Sequence, residues 1–424
     1  GVSMEYLKVG KYYEVFSGYA FKSQDLKETA DIPIIKIGNI SNGRNVINEN
    51  MQFVSKELLG INKKYYVNRG DVLLSLTGSH MNQPNSVVGR SCRNYSDRLY
   101  LLNQRAGKIV PKNNASLSYI YYVLQTQAMK EMICCRAYGA ANQVNVSPKS
   151  IMSIKWNFPS SDVQHRIASI LSTYDTFIEN NTKRIRLLEK MAENLYKEWF
   201  VRFRFPGHEN VEMENGLPKG WKVEKLGEWG IELETGKRPK GGIDGSIKDG
   251  CPSLGAECIK ELASFDYSSV KMVPKDFYDS LKRGKNSGND ILLYKDGAYI
   301  GKVTMFRDSF PYSEYSINEH VFFLSPMNIK YRNYLYFTLH QKEFFAVMQI
   351  LNRNAAQPGL SRSDVERIKI VVPPSKIVEL FDLQVERMLK VIFSLAKQNS
   401  LLARQRDLLL PRLMSGKLEV KVKE

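Results

Sequence analysis

The chain has 424 residues, of which 43% are apolar and 25% are charged, and this length predicts two or more domains. No run approaches the ~18 apolar residues of a membrane-spanning helix, and residues 1–13 lack the basic and apolar regions of a secretory signal. The 61 Lys and Arg residues outnumber the 44 Asp and Glu residues and leave a formal net charge of +17. This excess favours a polyanionic partner, and its dispersal through loops disfavours binding to a membrane surface.

The cysteines and histidines show no metal-binding or disulfide pattern. The five cysteines contain no C-x-x-C pair; they are Cys92, Cys134, Cys135, Cys251 and Cys258. A reducing cytoplasm therefore fits better than a disulfide framework or a structural zinc site. The five histidines are scattered, and we expect them to be structural or solvent-facing, so the sequence predicts no metal site.

Residues 1–158 are predicted to form the first globular domain. Short β-like runs alternate with turns, and a helix-like segment, Leu117–Cys134, follows them. A polar loop, Tyr138–Asn145, and a strand-like run, Ile151–Phe158, complete this part. Strand-rich stretches interrupted by one helix indicate an α+β domain.

Residues 159–205 are predicted to form a long amphipathic helix. Positions seven apart form its seam: Ile167, Tyr174, Asn181, Leu188 and Leu195. Phe177 and Met191 are expected to widen this apolar face. A sustained seven-residue repeat is typical of helices packed along their length, and a seam Asn can fix their register. The alternatives are an ordinary buried helix and a solvent-exposed Asn181.

The second half repeats this layout. Residues 206–373 are predicted to be a linker and a second globular domain, and residues 374–424 a second helical region. Its seven-residue seam consists of Phe381, Met388, Leu395, Leu402 and Leu409. We therefore predict two similar α+β domains separated by two long helices that pack as an antiparallel coiled coil. A helix of ~39 residues is ~58 Å long, which exceeds the ~34 Å of one DNA turn.

An internal repeat supports the two-domain layout. Leu102–Arg105 matches Ile317–His320 at an offset of 318 − 103 = 215 positions, and Tyr119–Tyr122 matches Tyr334–Phe337 at the same offset. Several matches in the same order indicate two copies of one unit. The alternative is a tandem duplication kept for size or stability.

No catalytic site is predicted, because the motifs that catalysis on nucleic acid would need are missing. There is no P-loop, no glycine-rich loop for a dinucleotide or S-adenosylmethionine, and no Asn-Pro-Pro-aromatic run. We also find no convincing Ser/His/Asp set or pair of carboxylates.

Polar and basic loops are the predicted DNA-binding sites. Arg and Lys can contact phosphates or guanine, and Asn and Gln can pair with adenine. In the first half the candidates are Lys22, Ser23, Gln24, Asn39, Arg44, Ser79, His80, Asn82, Gln83, Asn85, Arg90, Arg136, Asn142 and Gln143. In the second half they are Lys237, Arg238, Lys240, Lys285, Asn286, Lys295, Lys302, Arg353, Asn354 and Gln357. The alternative for each loop is that it only faces water.

Six stretches of the chain carry a resemblance to a known family. They are Phe16–Ser23, Gly70–Leu74, Arg166–Leu171, Leu195–Phe200, Leu217–Trp221 and Leu409–Leu418. With the duplicated layout, they resemble the specificity subunits of type I restriction-modification enzymes over essentially the full length. The second helix departs from a perfect repeat, since Arg406 stands where the first has Ala192, and Pro411 is expected to kink or end it.

The resemblance implies two target-recognition domains, each reading one half of a bipartite double-stranded DNA site. It implies that the helices set the spacing and dock two methylation subunits, and that restriction subunits join the assembly. S-adenosylmethionine, ATP and Mg²⁺ would be used by those partner subunits and not by this chain. Two other classes remain open: a stand-alone DNA methyltransferase or nuclease, and a helical scaffold that binds only proteins.

Overall fold

The computed structural model consists of two compact units, described here one at a time. Unit 1 comprises residues 1–176 and 402–424, and unit 2 comprises residues 177–401. The structure describes residues 5–43, 45–79, 88–140, 143–243, 245, 247, 249–297, 300–353 and 359–420. Each unit mixes short strands with helices, which confirms the predicted α+β class.

Unit 1 is built on a four-stranded antiparallel sheet. The strands of this unit are β1 (Glu5–Lys8), β2 (Tyr13–Ser17), β3 (Ile32–Ile35), β4 (Gln52–Val54), β5 (Tyr66–Val67), β6 (Val72–Ser75), β7 (Thr77–Gly78), β8 (Ser91–Arg93), β9 (Tyr100–Leu102), β10 (Ala106–Pro111), β11 (Tyr138–Ala140), β12 (Gln143–Asn145) and β13 (Lys155–Phe158). Its helices are α1 (Val9–Tyr12), α2 (Leu117–Gln125), α3 (Gln127–Cys134), α4 (Pro148–Met152) and the start of α5 (Ser161–Tyr196). The main sheet has the order β2-β10-β6-β8, and the other sheets are β4-β3-β9-β5, β11-β12-β7 and β1-β13.

Three predictions for the first half are corrected. The helix predicted over Leu117–Cys134 is two helices, because the Thr126 hydroxyl accepts from the backbone of Met129 and caps α3. The predicted loop Tyr138–Asn145 contains the paired strands β11 and β12. The strand predicted from Ile151 begins only at Lys155, because Pro148 and the Ser147 cap start α4.

Unit 2 contains the rest of α5, which continues as a π turn over Lys197–Val201. Its strands are β14 (Met213–Glu214), β15 (Leu217–Pro218), β16 (Lys222–Lys225), β17 (Ile231–Thr235), β18 (Cys251–Leu254), β19 (Lys271–Val273), β20 (Asn289–Tyr294), β21 (Val303–Arg307), β22 (Ser316–Ile317), β23 (Val321–Pro326) and β24 (Lys369–Val372). Its helices are α6 (Leu226–Trp229), α7 (Lys275–Ser280), α8 (Arg332–Leu339), α9 (Lys342–Arg353), α10 (Arg362–Glu366) and α11 (Ser375–Met414), the last of which ends in unit 1.

The two units share one topology, which confirms the predicted internal repeat. The sheet order β17-β23-β20-β21 reproduces β2-β10-β6-β8, and the pair β16-β24 reproduces β1-β13. In both units a parallel pair stands beside these antiparallel sheets: β3 with β9, and β18 with β22. The strands of the two main sheets are therefore arranged in the same order relative to the chain, as expected for two copies of one unit.

The long helices pack against each other inside each unit. In unit 2, Asn181 bonds to Asn399, and the Phe200 ring lies 5.0 Å from that of Phe381. Residue numbers therefore rise along α5 as they fall along α11, and the packing is antiparallel. In unit 1, Ile167 belongs to the same apolar core as Leu413.

All ten seam positions are at least partly covered. Four are buried: Ile167, Asn181, Phe381 and Leu395. Six are half-buried: Tyr174, Leu188, Leu195, Met388, Leu402 and Leu409. The expectation for Phe177 and Met191 was wrong, since each is 54% exposed.

The expected end of the helix at Pro411 is also corrected. Helix α11 continues through this residue and ends at Met414. A proline removes a single i→i−4 bond, and near the end of a helix few residues remain to be displaced. Among the described residues, no helix combines the length and the apolar character needed to cross a membrane.

Candidate nucleic-acid interface

Basic side chains border an open recess of ≈ 490 Å³ in unit 2. Its lining consists of Gly236, Lys237, Arg238, Pro239, Gly242 and Glu319. Strand β17 ends at Thr235, and the following loop leads directly into the recess. The side chains of Lys237, Arg238 and nearby Lys240 are exposed. The recess can therefore receive an anionic partner.

Gly236 lets the loop pack directly against the backbone of the segment that contains Ile317. A Cβ atom there would stand 1.5 Å from the carbonyl oxygen of Ile317, so no larger residue fits this backbone path. The close approach brings Arg238 next to Glu319, which lies two residues before β23 begins at Val321.

Arg238 is held in a network of charged and polar groups. Its Nε donates to Glu319 Oε1 at 2.6 Å, and its Nη2 lies 2.9 Å from His320 Nε2. His320 Nδ1 in turn lies 3.1 Å from Asp296 Oδ2. Lys295 joins the same group by donating to the backbone oxygen of Glu319 at 3.3 Å. The structure thus brings Lys237, Arg238 and Lys295 together.

The charges in this network stabilise one another. The hydrogen bond from Arg238 to Glu319 raises the pKa of the guanidinium. Burial acts to raise the pKa of the Glu319 carboxyl, but the Arg238 bond and charge outweigh it, and the pKa lies below its usual value. Glu319 therefore remains ionised and compensates part of the positive charge of the recess.

Other candidates of the second half serve the local fold or lie elsewhere. Lys285 donates to the backbone of Asp279 at 3.0 Å and covers the Tyr278 ring, and the Asn286 amide bonds to the backbone on both sides of Glu314. Lys302 is exposed just before β21, outside the residues lining the recess.

Unit 1 has an equivalent loop after β2. A Cβ at Gly18 would stand 2.3 Å from the carbonyl oxygen of Leu102, which reproduces the close approach at Gly236. The loop then reaches Lys22, which precedes a 3-10 turn and matches Lys240 at an offset of 240 − 22 = 218 positions. Lys22, Ser23 and Gln24 are all exposed.

The remaining described candidates of unit 1 fall into separate groups. Ser79 follows β7, and Gln143 opens β12, which pairs with β7. Arg90 lies near Lys130. Burial lowers the pKa of the Lys130 ammonium, and the positive charge of Arg90 lowers it further. The remaining member, Arg136, donates to the backbone oxygen of Met132 at 2.9 Å.

Asn39 differs from the other candidates because it is 4% exposed. Its amide nitrogen donates to the backbone oxygens of Ile47 and Glu49, and its side-chain oxygen accepts from the backbone of Lys36. These bonds give the side chain a role in the loop itself.

Several candidates lie outside the described residues: Arg44, His80, Asn82, Gln83, Asn85, Asn142, Asn354 and Gln357. Arg353 is the last residue of α9, and its side chain is likewise not described.

Sequence reasoning missed the partners of the basic residues. In the sequence, Glu319 and His320 stand out only as part of the internal repeat. The repeat aligns them with Gln104 and Arg105 of unit 1, which are both exposed. That alignment was the signal that could have identified them. Lys130 was also missed, and its ammonium donates to the Asn42 side chain at 2.8 Å.

One group of side chains in the described part of the chain has the composition of a metal site. Glu189 and Glu193 of α5 lie beside His340, which follows α8. This group could not be recognised in the sequence, because the histidine is remote from the two glutamates along the chain.

Comparisons with known proteins agree with the duplicated architecture. The profile of the type I restriction modification DNA specificity domain matches residues 2–190 and again 218–409. The specificity subunit of the type I restriction enzyme MjaIX from Methanocaldococcus jannaschii is 28% identical over 75% of this chain and 73% of its own length. That of the type I restriction enzyme HindI from Haemophilus influenzae is 21% identical over 75% and 81%.

A solved structure gives the same result for the fold. The S subunit of a type I restriction-modification system from M. genitalium superimposes with a TM-score of 0.56 at 16% identity. The match covers 97% of this chain and 96% of that one.

Proposed function

Because the chain belongs to the type I restriction modification DNA specificity family, we propose that unit 1 and unit 2 each read one half of a bipartite double-stranded DNA site. The chain is a specificity subunit of a type I restriction-modification system. The observation that carries the proposal is the doubled loop: a close-packed glycine, Gly18 or Gly236, leads to an exposed lysine, Lys22 or Lys240. Two equivalent basic surfaces suit a DNA site that has two parts.

The residues of each surface divide by chemistry. Lys22, Lys237 and Lys240 neutralise phosphates and so position the duplex, a contribution that is the same for every sequence. Arg238 and Gln24 have the donor geometry to pair with base edges in the major groove, where Arg favours guanine and Gln favours adenine. Sequence selection therefore rests on these two side chains more than on the lysines.

The helices α5 and α11 set the distance between the half-sites and dock two methylation subunits. Both helices expose large apolar side chains, which supports the docking, because exposed apolar surface of this kind is covered when a partner protein binds. These side chains are Phe177, Leu187, Met191, Leu383 and Leu401. Restriction subunits complete the assembly in the cytoplasm, and S-adenosylmethionine, ATP and Mg²⁺ are used by the partners.

The test is single-molecule methylome sequencing of cells that carry this chain with its methylation subunit. The natural chain should produce one new bipartite adenine motif. Arg238→Ala should relax one base position in one half-site, at a cost of about 1–3 kcal/mol, and Gln24→Ala should relax one in the other half-site. Lys240→Ala should lower methylation at all sites alike.

Lys330→Ala is the matched control, because Lys330 is exposed in unit 2 and pairs with Glu379 outside the recess. It should leave motif and extent unchanged. A natural chain that gives no new motif with its partner bound would refute the proposal. If Arg238→Ala and Gln24→Ala altered the same half-site, the assignment of one half-site to each unit would be wrong.

A further inference from the structure

Two helices of unit 2 bring three metal-binding side chains together. Glu189 and Glu193 are one turn apart on α5, and His340 caps the end of α8. One ligand atom from each lies within 4.8 Å of the other two, and His340 Nε2 is 3.4 Å from Glu193 Oε1. All three side chains are half-buried, so a small ion can reach them while bulk water is partly excluded.

These distances suit a tetrahedral ion. Zinc lies about 2.0–2.1 Å from histidine nitrogen and carboxylate oxygen, and tetrahedral angles then separate two ligand atoms by about 3.3 Å. The 3.4 Å between His340 Nε2 and Glu193 Oε1 is already close to this value, and a Glu189 oxygen lies within 4.8 Å of both ligand atoms. We propose that Glu189, Glu193 and His340 bind a divalent transition-metal ion, for which Zn²⁺ is the best match.

Tyr336 provides an independent observation. It is fully buried on α8, and its ring stacks on the His340 imidazole with centroids 5.3 Å apart. Among the described residues its hydroxyl has no hydrogen-bond partner. Burial raises the pKa of this hydroxyl, and the nearby charges of Glu189 and then Glu193 raise it further. An orphaned buried hydroxyl at this point is accounted for when an ion orders a carboxylate or a water as its acceptor.

The chemistry of the group also suits a cation. Two carboxylates and one imidazole converge, and each offers one ligand atom. A bound dication offsets the repulsion between the two carboxylates, and it binds them in their ionised form. Because the ligands come from α5 and α8, the ion would link the long helix α5 to helix α8 of unit 2.

The proposal is tested on the full chain after removal of metal with a chelator. Zn²⁺ is added as its chloride, bound metal is measured by mass spectrometry after gel filtration, and the Tm is followed in parallel. The natural chain should retain one Zn²⁺ and gain Tm. Tyr336→Phe should weaken binding about 10-fold, as expected for a group that orders a ligand. Glu193→Gln and His340→Gln should weaken binding more than that and abolish the Tm gain.

His208→Gln is the matched control, because His208 also pairs with a carboxylate, that of Glu209 at 3.1 Å, but on the surface. It should bind Zn²⁺ like the natural chain. Two results would overturn the proposal: no retained Zn²⁺ in the natural chain, or equal retention by His340→Gln, which would put the ion elsewhere. If Tyr336→Phe raised the Tm without metal and left Zn²⁺ affinity unchanged, the hydroxyl would have no part in the site.

Discussion

Arg406 of α11 donates to Asp175 of α5 at 2.5 Å, and Tyr122 of α2 donates to the other oxygen of the same carboxylate at 2.5 Å. The Asp175 side chain is 9% exposed. Burial opposes the positive charge of Arg406, but Asp175 and then Asp407 outweigh it, so the pKa of the guanidinium lies above its usual value. Arg406 departs from the helical repeat because it pairs with a carboxylate inside unit 1.

Breaking this pair should be costly. Asp175→Ala should lower the free energy of unfolding by about 3 kcal/mol, because it leaves Arg406 without its buried counter-ion and Tyr122 without an acceptor. The double variant Asp175→Leu with Arg406→Leu should recover most of the loss. Denaturant unfolding of the natural chain, Asp175→Leu, Arg406→Leu and the double variant measures the coupling between the two residues. Lys183→Ala removes an exposed pair on the same helix and should cost less than about 0.5 kcal/mol; equal costs would contradict the interpretation.

A second polar contact lies on the seam in unit 2. The Asn181 amide donates to Gln398 at 2.7 Å and to Asn399 at 3.0 Å, and the Asn399 amide reaches Thr182 at 3.3 Å. These bonds are satisfied together only when α5 and α11 stand in one register. The seam therefore specifies helix alignment by hydrogen bonding as well as by apolar packing.

Asn181→Leu should consequently loosen the register without unfolding the helices. The free energy of unfolding should stay within about 1 kcal/mol, because an apolar residue suits the seam. Methylome sequencing should then reveal sites whose spacer differs by one base pair from the natural motif. Asn180→Leu is the matched control, since Asn180 is exposed on the same helix, and it should keep the natural spacer. Unaltered spacing in Asn181→Leu would show that other contacts set the register.

The sequence predicted this helical pair because periodicity determines which side of a helix is covered. Positions seven apart, such as Ile167 and Phe381, share one face whatever surrounds them. The duplicated sheet was predicted for a similar reason, since repeated motifs such as Tyr119–Tyr122 and Tyr334–Phe337 fold in the same way. The exposure of Phe177 escaped prediction, because width of the apolar face depends on how much of it the partner helix covers.

The sequence predicted which loops form the site, but not the contacts between residues from different loops. Arg238, Glu319 and Asp296 come from three connections of unit 2 that no periodic pattern links. Their meeting depends on sheet order and on the close approach at Gly236, which are properties of the folded chain. The break at Thr126 was missed for a local reason: its hydroxyl competes with the helix by bonding to backbone groups.

The cysteines give a test of burial in both units. Burial raises the pKa of Cys92 to about 12 and those of Cys251 and Cys258 to about 11. Because a raised pKa keeps the thiol protonated below that pH, these three should not react with a thiol reagent between pH 7 and 9. Cys135 is exposed and should react first. Cys135→Ser should abolish the fast phase, and rapid reaction of Cys92 in the native chain would contradict its burial.

The charge balance of the recess in unit 2 should control affinity for DNA. An arginine N–H can only donate, so the short contact between Arg238 and His320 Nε2 requires that nitrogen to accept. On the other side of the ring, His320 Nδ1 lies 3.1 Å from Asp296 Oδ2. Glu319 is therefore the carboxylate that directly restrains the Arg238 charge.

Glu319→Gln should strengthen binding to duplexes of any sequence, because it leaves the recess one charge more positive. If the more positive recess neutralises one further phosphate, the slope of log affinity against log salt should steepen by about 0.9. Arg238→Ala should weaken binding instead. Fluorescence anisotropy across a salt series measures both effects. Glu379→Gln is the control, since it removes the same charge beside Lys330 outside the recess; an equal gain in affinity there would mean that total charge, and not Glu319, sets the binding.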